Sequence, residues 1–205
     1  MKAFTDSQII ELARYQIHIE SQSIALLSKQ INLSFVKIAR SLLSCQGHIL
    51  VSGSGTSRSI AIRLAHLLSC CGTPSLFIDP IDGQHGLSGA LTNRDLLLIF
   101  SKGGKTKEII NLAKVAIRRS TQIITLTENS NSILGKMSDF VLETKGAANA
   151  DPFGMIATGS SLTNAAMGDA LCAVLLKMRG YTLDEFADTH PSGAVGDKLK
   201  RRQKK

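Results

Sequence analysis

Residues 48–57 read HILVSGSGTS, and residues 95–106 read DLLLIFSKGGKT. Each begins with an apolar run that is too short for most helices and continues into a turn rich in glycine and hydroxyl side chains. Short apolar runs recur along the chain at 48–52, 75–78, 95–100, 122–126 and 139–142, with helix-like segments between them. Because such alternation indicates strands buried on both faces, the sequence predicts an α/β fold. We expect a three-layer α/β/α sandwich with a five-stranded, mostly parallel sheet.

The segment before the first strand has a different pattern. Residues 4–45 contain neither glycine nor proline, and their apolar residues recur at helical spacing. This predicts one long N-terminal helix, or two abutting helices with a break near residues 32–34. We divide the chain into an N-terminal helical segment (1–46), an α/β domain (47–197) and a basic tail (198–205). A long amphipathic helix in so short a chain is typical of packing on a partner subunit.

The net charge of +8 comes largely from the C-terminus. Six of the 24 basic residues lie among the last eight positions: Lys198, Lys200, Arg201, Arg202, Lys204 and Lys205. We interpret this tail as a solvated end, with a nucleic-acid or membrane-surface contact as the alternative. Aromatic residues make up only 4% of the chain, and there is no tryptophan, which argues against base-stacking platforms. We therefore expect no nucleic-acid partner.

The sequence lacks a membrane span, a signal peptide and a zinc-ligand motif. No apolar run approaches the roughly 18 residues of a membrane span, and the first residues, MKAFTDSQIIELARYQ, have no apolar signal core. We therefore expect a cytoplasmic protein with no membrane contact. Of the four cysteines, Cys70 and Cys71 are adjacent, which is not a zinc spacing, and there is no CxxC motif. We expect free, buried thiols, no metal site and no cofactor.

Two glycine-rich turns are the candidate ligand site, since ligands of open α/β sheets bind at the carboxyl ends of strands. The turns at 53–57 and 101–106 each lead into a helix, where free N–H groups attract an anion. Together they predict phosphate binding by Ser54, Thr56, Ser57, Ser101, Lys102, Gly103 and Thr106. One alternative is an ordinary helix cap by Ser54 or Thr56. Another is a dinucleotide site, although Arg58 occupies the third-glycine position of GxGxxG; Asp79 would then bind the ribose.

These motifs resemble the SIS (sugar isomerase) domain, whose members bind phosphosugars with a GxGxS loop and an SxSGxT loop. The likeness covers roughly residues 45–200. GQHG at 83–86 is similar to the AHG turn of arabinose-5-phosphate isomerases, and MGDAL at 167–171 to their MGDALA helix. FADTHPSGAVG at 186–196 is similar to their FALSHPGGALG segment and is the most specific match. The resemblance implies the SIS fold and an aldose–ketose isomerase of the arabinose 5-phosphate/ribulose 5-phosphate type.

The resemblance also implies catalytic roles. His85 and His190 fall on the two active-site histidines of those isomerases. We predict that His85 is the base of the enediol proton transfer, because an unperturbed imidazole has a pKa near ~6.5. We predict that His190 serves ring opening or hydroxyl polarisation, and that Lys105 stabilises the enediolate charge. Asp151 and Glu128 are further acid–base candidates.

The chain departs from the family pattern at several positions. The family's first-loop lysine is Thr56 here, a second-loop serine is Gly103, a second-loop glutamate is Lys105, and a later glutamate aligns with Asn149. These departures favour, as an alternative, a non-catalytic phosphosugar sensor or an inactive regulatory paralogue. A nucleotide-binding oxidoreductase is a third hypothesis. The resemblance further implies a homodimer or homotetramer in which the histidine segment near the C-terminus reaches a neighbouring subunit.

Overall fold

The computed structural model describes residues 4–203 and contains the predicted five-stranded sheet. Its strands are β1 (Ile49–Gly53), β2 (Ser75–Phe77), β3 (Leu96–Phe100), β4 (Gln122–Thr127) and β5 (Phe140–Glu143). All neighbouring strands pair in parallel, in the order β2-β1-β3-β4-β5. The predicted fold class is therefore confirmed, and the sheet is wholly rather than mostly parallel.

Eight α-helices surround the sheet within the described residues. They are α1 (Asp6–Leu27), α2 (Leu33–Ser44), α3 (Thr56–Cys70), α4 (Lys107–Arg118), α5 (Ile133–Met137), α6 (Gly159–Arg179), α7 (Leu183–Thr189) and α8 (Gly193–Gln203). The N-terminal segment forms two helices, since a 3₁₀ turn at Ser28–Gln30 ends the first and the Asn32 side chain caps the second. The break between the two helices therefore begins at Ser28, a few residues before the predicted break at 32–34.

The side chains of the central strands divide the helices into two layers. Leu96, Leu98 and Phe100 pack in one apolar cluster with residues of α2, α3 and α6. Leu97 and Ile99 point the other way and pack with residues of α4 and α5. Because successive strand residues face opposite sides, this single run of apolar residues fills both cores. The result is the three-layer arrangement that the sequence predicts.

Strand order places the two glycine-rich turns side by side. The chain passes from β1 out to β2 and then crosses back to β3, which lies on the other side of β1. The order therefore reverses between β1 and β3, which is where open α/β sheets leave a crevice at their carboxyl edge. The turns 53–57 and 101–106 follow these two strands, so both border this crevice.

The C-terminal region is more ordered than the sequence predicts. Helices α7 and α8 were not anticipated, and residues 198–203 of the basic tail continue α8. The tail's basic side chains within the described range are exposed, and Lys204 and Lys205 lie outside it. Across residues 4–203, none of the helices combines the length and apolar character that crossing a membrane requires.

Candidate active site

The N-termini of α3 and α4 at the crevice have no side-chain cap. Their N-cap residues are Gly55 and Thr106, and neither helix end receives a side-chain hydrogen bond from its cap. Four other helices, α1, α2, α5 and α7, are capped by the side chains of Thr5, Asn32, Ser132 and Thr182. The amide groups that begin α3 and α4 therefore face the crevice, where their positive partial charge favours an anion.

A hydrogen bond joins the two glycine-rich turns. The Ser54 hydroxyl donates to Glu108 Oε1 at 2.6 Å, which links the turn after β1 to the first turn of α4. Ser54 therefore bonds across the crevice instead of capping α3, contrary to the alternative of an ordinary helix cap. The same hydrogen bond lowers the pKa of Glu108. Sequence analysis missed Glu108; its place two residues after the second turn was the available signal.

The second turn packs against the loop after β4, and its tip at Gly103 is open to solvent. Gly104 has a φ of 61°, and a Cβ there would collide with the Ser132 side chain. The carbonyl oxygen of Lys102 accepts from the Glu128 amide at 3.0 Å and from the Thr127 hydroxyl at 2.9 Å. By contrast, nothing lies within 4 Å of a Cβ built on Gly103. The turn is thus held rigidly against the loop after β4 while its tip stays accessible to a ligand.

All seven predicted phosphate-binding residues lie on this edge of the sheet, with different exposure. Ser101 is buried and Gly103 and Thr56 are exposed, whereas the rest are half-buried: Ser54, Ser57, Lys102 and Thr106. Lys105, the predicted enediolate partner, is exposed on the same turn. The structure thus brings these predicted residues to one edge.

A polar cavity of about 230 Å³ lies beside the second turn. Its lining includes Lys102, Glu128, Asn149, Asp151 and Ser160, which come from the loops after β3, β4 and β5 and from the start of α6. That volume corresponds to roughly eight waters at about 30 Å³ each. The cavity therefore has room for a small, polar ligand adjacent to the second glycine-rich turn.

Lys102 and the two cavity carboxyl groups form the charged part of this lining. Lys102 Nζ donates to Asp151 Oδ2 at 2.6 Å and to the Gly154 carbonyl oxygen at 3.3 Å. Burial raises the pKa of Asp151, but hydrogen bonds from Lys102 and Ser160 outweigh it, so the pKa is lowered overall. For Glu128, burial dominates and the pKa is raised, although Lys102 and Lys145 act against it. The two carboxyl groups therefore differ in proton affinity.

His85 lies at the same edge, after β2. It ends a 3₁₀ turn at Asp82–His85 and is exposed. The preceding Gln84 accepts a hydrogen bond from Asn111 of α4 at 2.9 Å, which ties this turn to the helix that starts at the second loop. Nearby, Asp79 is paired with Arg58 at 3.2 Å. That pairing occupies the carboxylate that a dinucleotide site would need for the ribose.

His190 lies beside the C-terminal end of α3. Its Nε2 is 3.7 Å from Cys70 Sγ, and its ring stacks on Phe186 with centroids 3.8 Å apart. Cys70 is the last residue of α3, whose first residue is Thr56 of the first turn. A helix of that length places these ends about 21 Å apart. Within one chain, therefore, His190 lies at the far end of α3 from the first turn, and its predicted contact with a neighbouring subunit's site stays a prediction.

The four cysteines are free, as predicted. Only Cys172 is fully buried, and burial, together with the neighbouring Cys71 and Asp169, raises the pKa of its thiol to about 12. Cys45, Cys70 and Cys71 are half-buried rather than buried. The expectation of buried thiols is therefore correct for one of the four.

Known proteins share both this sequence and this architecture. Arabinose 5-phosphate isomerase KdsD of Yersinia pestis is 36% identical over 183 residues, which are 89% of this chain and 56% of that protein. Arabinose 5-phosphate isomerase KpsF of Escherichia coli is 33% identical over 195 residues, 95% of this chain and 62% of that protein. The chain thus spans little more than half the length of these curated relatives.

Two solved structures match over their full length. A candidate sugar-phosphate isomerase from Listeria monocytogenes has 31% identity and a TM-score of 0.89, covering 93% of this chain and 100% of that one. The E. coli CFT073 protein c3406, solved in complex with a ligand, has 26% identity and a TM-score of 0.88, covering 92% and 100%. The sequence profile of the SIS domain matches residues 42–174. With the profile covering most of the chain and the fold shared over more than nine-tenths of it, this protein belongs to the SIS domain family.

Proposed function

We propose that this protein is an aldose–ketose isomerase of a phosphorylated sugar, of the arabinose 5-phosphate/ribulose 5-phosphate type. The main support is the pair of helix N-termini without side-chain caps, joined by the Ser54–Glu108 hydrogen bond and bordered by a charged cavity. A phosphate group binds at the helix ends, and the sugar carbons extend along the carboxyl edge. The names of the relatives support arabinose 5-phosphate as the first substrate to test.

Isomerisation requires groups that open the sugar ring and move a proton between C1 and C2. The candidates predicted from the sequence for these steps are His85, which is exposed at the edge of the crevice, as the base, and Lys105 on the second turn as the partner of the anionic oxygen. An imidazole suits this role because its ordinary pKa lies near neutral pH. Ser101 and Thr106 supply hydroxyl groups that hold the phosphate.

His190 contributes to this function from a second subunit. Within one chain His190 lies beside Cys70 at the far end of α3, a helix whose two ends are about 21 Å apart, so an inter-subunit site is the arrangement in which it contacts substrate. We therefore propose a homodimer or homotetramer with shared sites. Mixing Ser101→Ala and His190→Ala subunits should restore part of the activity that each variant lacks alone. An absence of restoration after verified subunit exchange would remove this role for His190.

The reaction is tested by incubating the protein with aldose phosphates and following ketose formation by NMR. We expect arabinose 5-phosphate to be converted, and arabinose without phosphate to be inert. Ligand at about 100 times its Kd should add about 2.7 kcal/mol of stability, a Tm rise of about 5–11 °C for a protein of this size. A Tm rise without any turnover would favour the phosphosugar sensor instead. If no sugar phosphate is converted and none raises the Tm, the isomerase and the sensor hypotheses are both refuted.

A further inference from the structure

The cavity beside the second turn presents one carboxylate that is engaged and one that is free. Asp151 accepts hydrogen bonds from the Ser160 amide at 2.9 Å, the Ser160 hydroxyl at 2.5 Å and Lys102 Nζ at 2.6 Å. Only electrostatic and burial effects act on the Glu128 carboxyl, with no hydrogen bond from the described residues. Asp151 is therefore built to hold Lys102, whereas Glu128 is available to a bound molecule.

The backbone keeps Lys102 and Glu128 on one wall of the cavity. The Glu128 amide and the Thr127 hydroxyl both donate to the carbonyl oxygen of Lys102, at 3.0 Å and 2.9 Å. Lys102 directly follows Ser101 in the phosphate-binding turn, so this wall is continuous with the anion site. A ligand whose phosphate lies at the turns can thus extend its carbon chain between an ammonium group and a carboxylate.

We propose that Glu128 is the carboxyl group that carries the proton between C1 and C2, with Lys102 as the cation facing the enediolate oxygen and Asp151 as the residue that positions Lys102. This inference rests on the proposed function and specifies which side of the phosphate site performs the chemistry. It assigns to Glu128 the step that sequence analysis gave to His85.

The proposed step is balanced without any further reactant. The Glu128 carboxylate removes the C2 proton of the open-chain aldose, the C–H electron pair forms the C1=C2 bond, and the C1=O π electrons move to O1. The Lys102 ammonium gives a proton to O1 and receives the O2 proton. Protonated Glu128 then returns its proton to C1 as the C2=O bond forms. C1 is thereby reduced and C2 oxidised within the same molecule.

The positions of the strands separate this assignment from the competing one. His85 follows β2 and Glu128 follows β4, and in the observed order these strands are three strand spacings apart, about 14 Å. The phosphate turns follow β1 and β3 between them. His85 and Glu128 therefore flank the phosphate from opposite sides, so in one chain the C1–C2 pair faces only one of them. The cavity is on the Glu128 side.

The acid–base properties of the two carboxyl groups are consistent with these roles. Burial raises the pKa of Glu128 towards the working pH, which favours a general base that must also return its proton. The pKa of Asp151 is lowered despite its burial, so Asp151 stays ionised beside Lys102. Two carboxyl groups whose environments separate their pKa values are the arrangement expected of a proton-transferring group and a fixed charge.

The decisive experiment measures isomerisation and deuterium uptake into the sugar carbons in D₂O, with arabinose 5-phosphate as the probe. Glu128→Gln should lower kcat and C1/C2 exchange by about 10²–10⁴-fold, while the Tm rise caused by the sugar phosphate is retained. Glu11→Gln, at an exposed position on α1, is the matched control and should behave as wild type. If Glu128→Gln stays within tenfold of wild type while His85→Gln loses exchange, the inference is wrong. A wild-type protein without turnover contradicts the proposed function and this inference together.

The pH profile of kcat/KM distinguishes the proposed electrostatic roles of Asp151 and Lys102 from damage to the fold. Asp151 raises and Lys102 lowers the pKa of Glu128, and Lys145 also lowers it. Asp151→Asn should therefore move the acidic limb to lower pH, and Lys102→Met should move it to higher pH. Purely structural damage would lower the rate without these opposite shifts. If the acidic limb of the profile stays in place in both variants, or moves in the same direction in both, the assignment of Glu128 is wrong.

Discussion

Asp151→Asn is the substitution that most directly tests the charged cavity. The Asp151 side chain is 6% exposed, and its Oδ2 accepts from both Lys102 Nζ and the Ser160 hydroxyl. Asparagine is isosteric and keeps one oxygen for the Ser160 amide, but its NH₂ group replaces an acceptor of two hydrogen bonds. The variant therefore removes these two contacts and leaves the packing of the loop before α6 in place.

The size of the effect follows from the burial of the two contacts. A hydrogen bond to a buried charged group contributes about 1.5–3 kcal/mol. The Lys102 side chain is 36% exposed, so its ion pair adds only about 0.2–1 kcal/mol. The Ser160 hydroxyl can rotate and accept from the new NH₂ group, which recovers part of the loss. We expect a net destabilisation of about 2 kcal/mol, a Tm decrease of about 4–8 °C.

Thermal unfolding of Asp151→Asn and Asp169→Asn, compared with wild type, provides the assay. Asp169 pairs with Arg63 at the surface, where the two side chains are 46% and 47% exposed, so its loss should be at most about 1 kcal/mol. Because the pKa of Asp151 is lowered in the folded state, its stabilisation is complete above about pH 3.9, the ordinary value for aspartate, and it disappears as the pH falls through the lowered value. Equal Tm decreases for the two variants at neutral pH would refute the reasoning.

Two further substitutions test the second turn and the core. Gly104→Ala should lower the Tm by at least about 4 °C, because a positive φ costs a non-glycine residue about 1–2 kcal/mol and the new Cβ would collide with Ser132. Gly103→Ala should shift the Tm by less than about 2 °C, because a Cβ at Gly103 has open space around it. An equal effect of the two would contradict the turn geometry. Leu98→Ala should lower the free energy of unfolding in urea by about 2–5 kcal/mol, whereas Leu76→Ala, at a position 58% exposed, should lower it far less. Similar values for the two leucines would contradict the buried central strand.

The strands and the two turns were predictable because their signals are local. A strand buried on both faces is a continuous apolar run, so β3 was predicted at 95–100 and occupies Leu96–Phe100. The glycine-rich turns follow directly in the sequence. Helix α7 was missed even though Thr182 and Glu185 form a capping box, because its residues lack a clear apolar period. Helix α8, with its charged sequence, was missed for the same reason.

The contacts that complete the candidate site were not predictable in this way. Lys102 and Asp151 are 49 residues apart, and Ser54 and Glu108 are 54 apart, so no local pattern relates them. Both Asp151 and Glu128 were acid–base candidates from sequence, yet only their hydrogen bonds distinguish them. The position of His190 depends on where α3 ends, which three-dimensional structure alone defines.

The missing caps of α3 and α4 have a consequence for how ligand binding can be observed. In the free protein the first amides of these helices, those of Thr56, Ser57 and Lys107, receive no hydrogen bond from a capping side chain and are open to solvent exchange. A bound phosphate monoester would act as a cap for both helices at once. Hydrogen–deuterium exchange would then slow at residues 56–57 and at residue 107 together, and a panel of metabolites could be ranked by this protection without any catalytic assay.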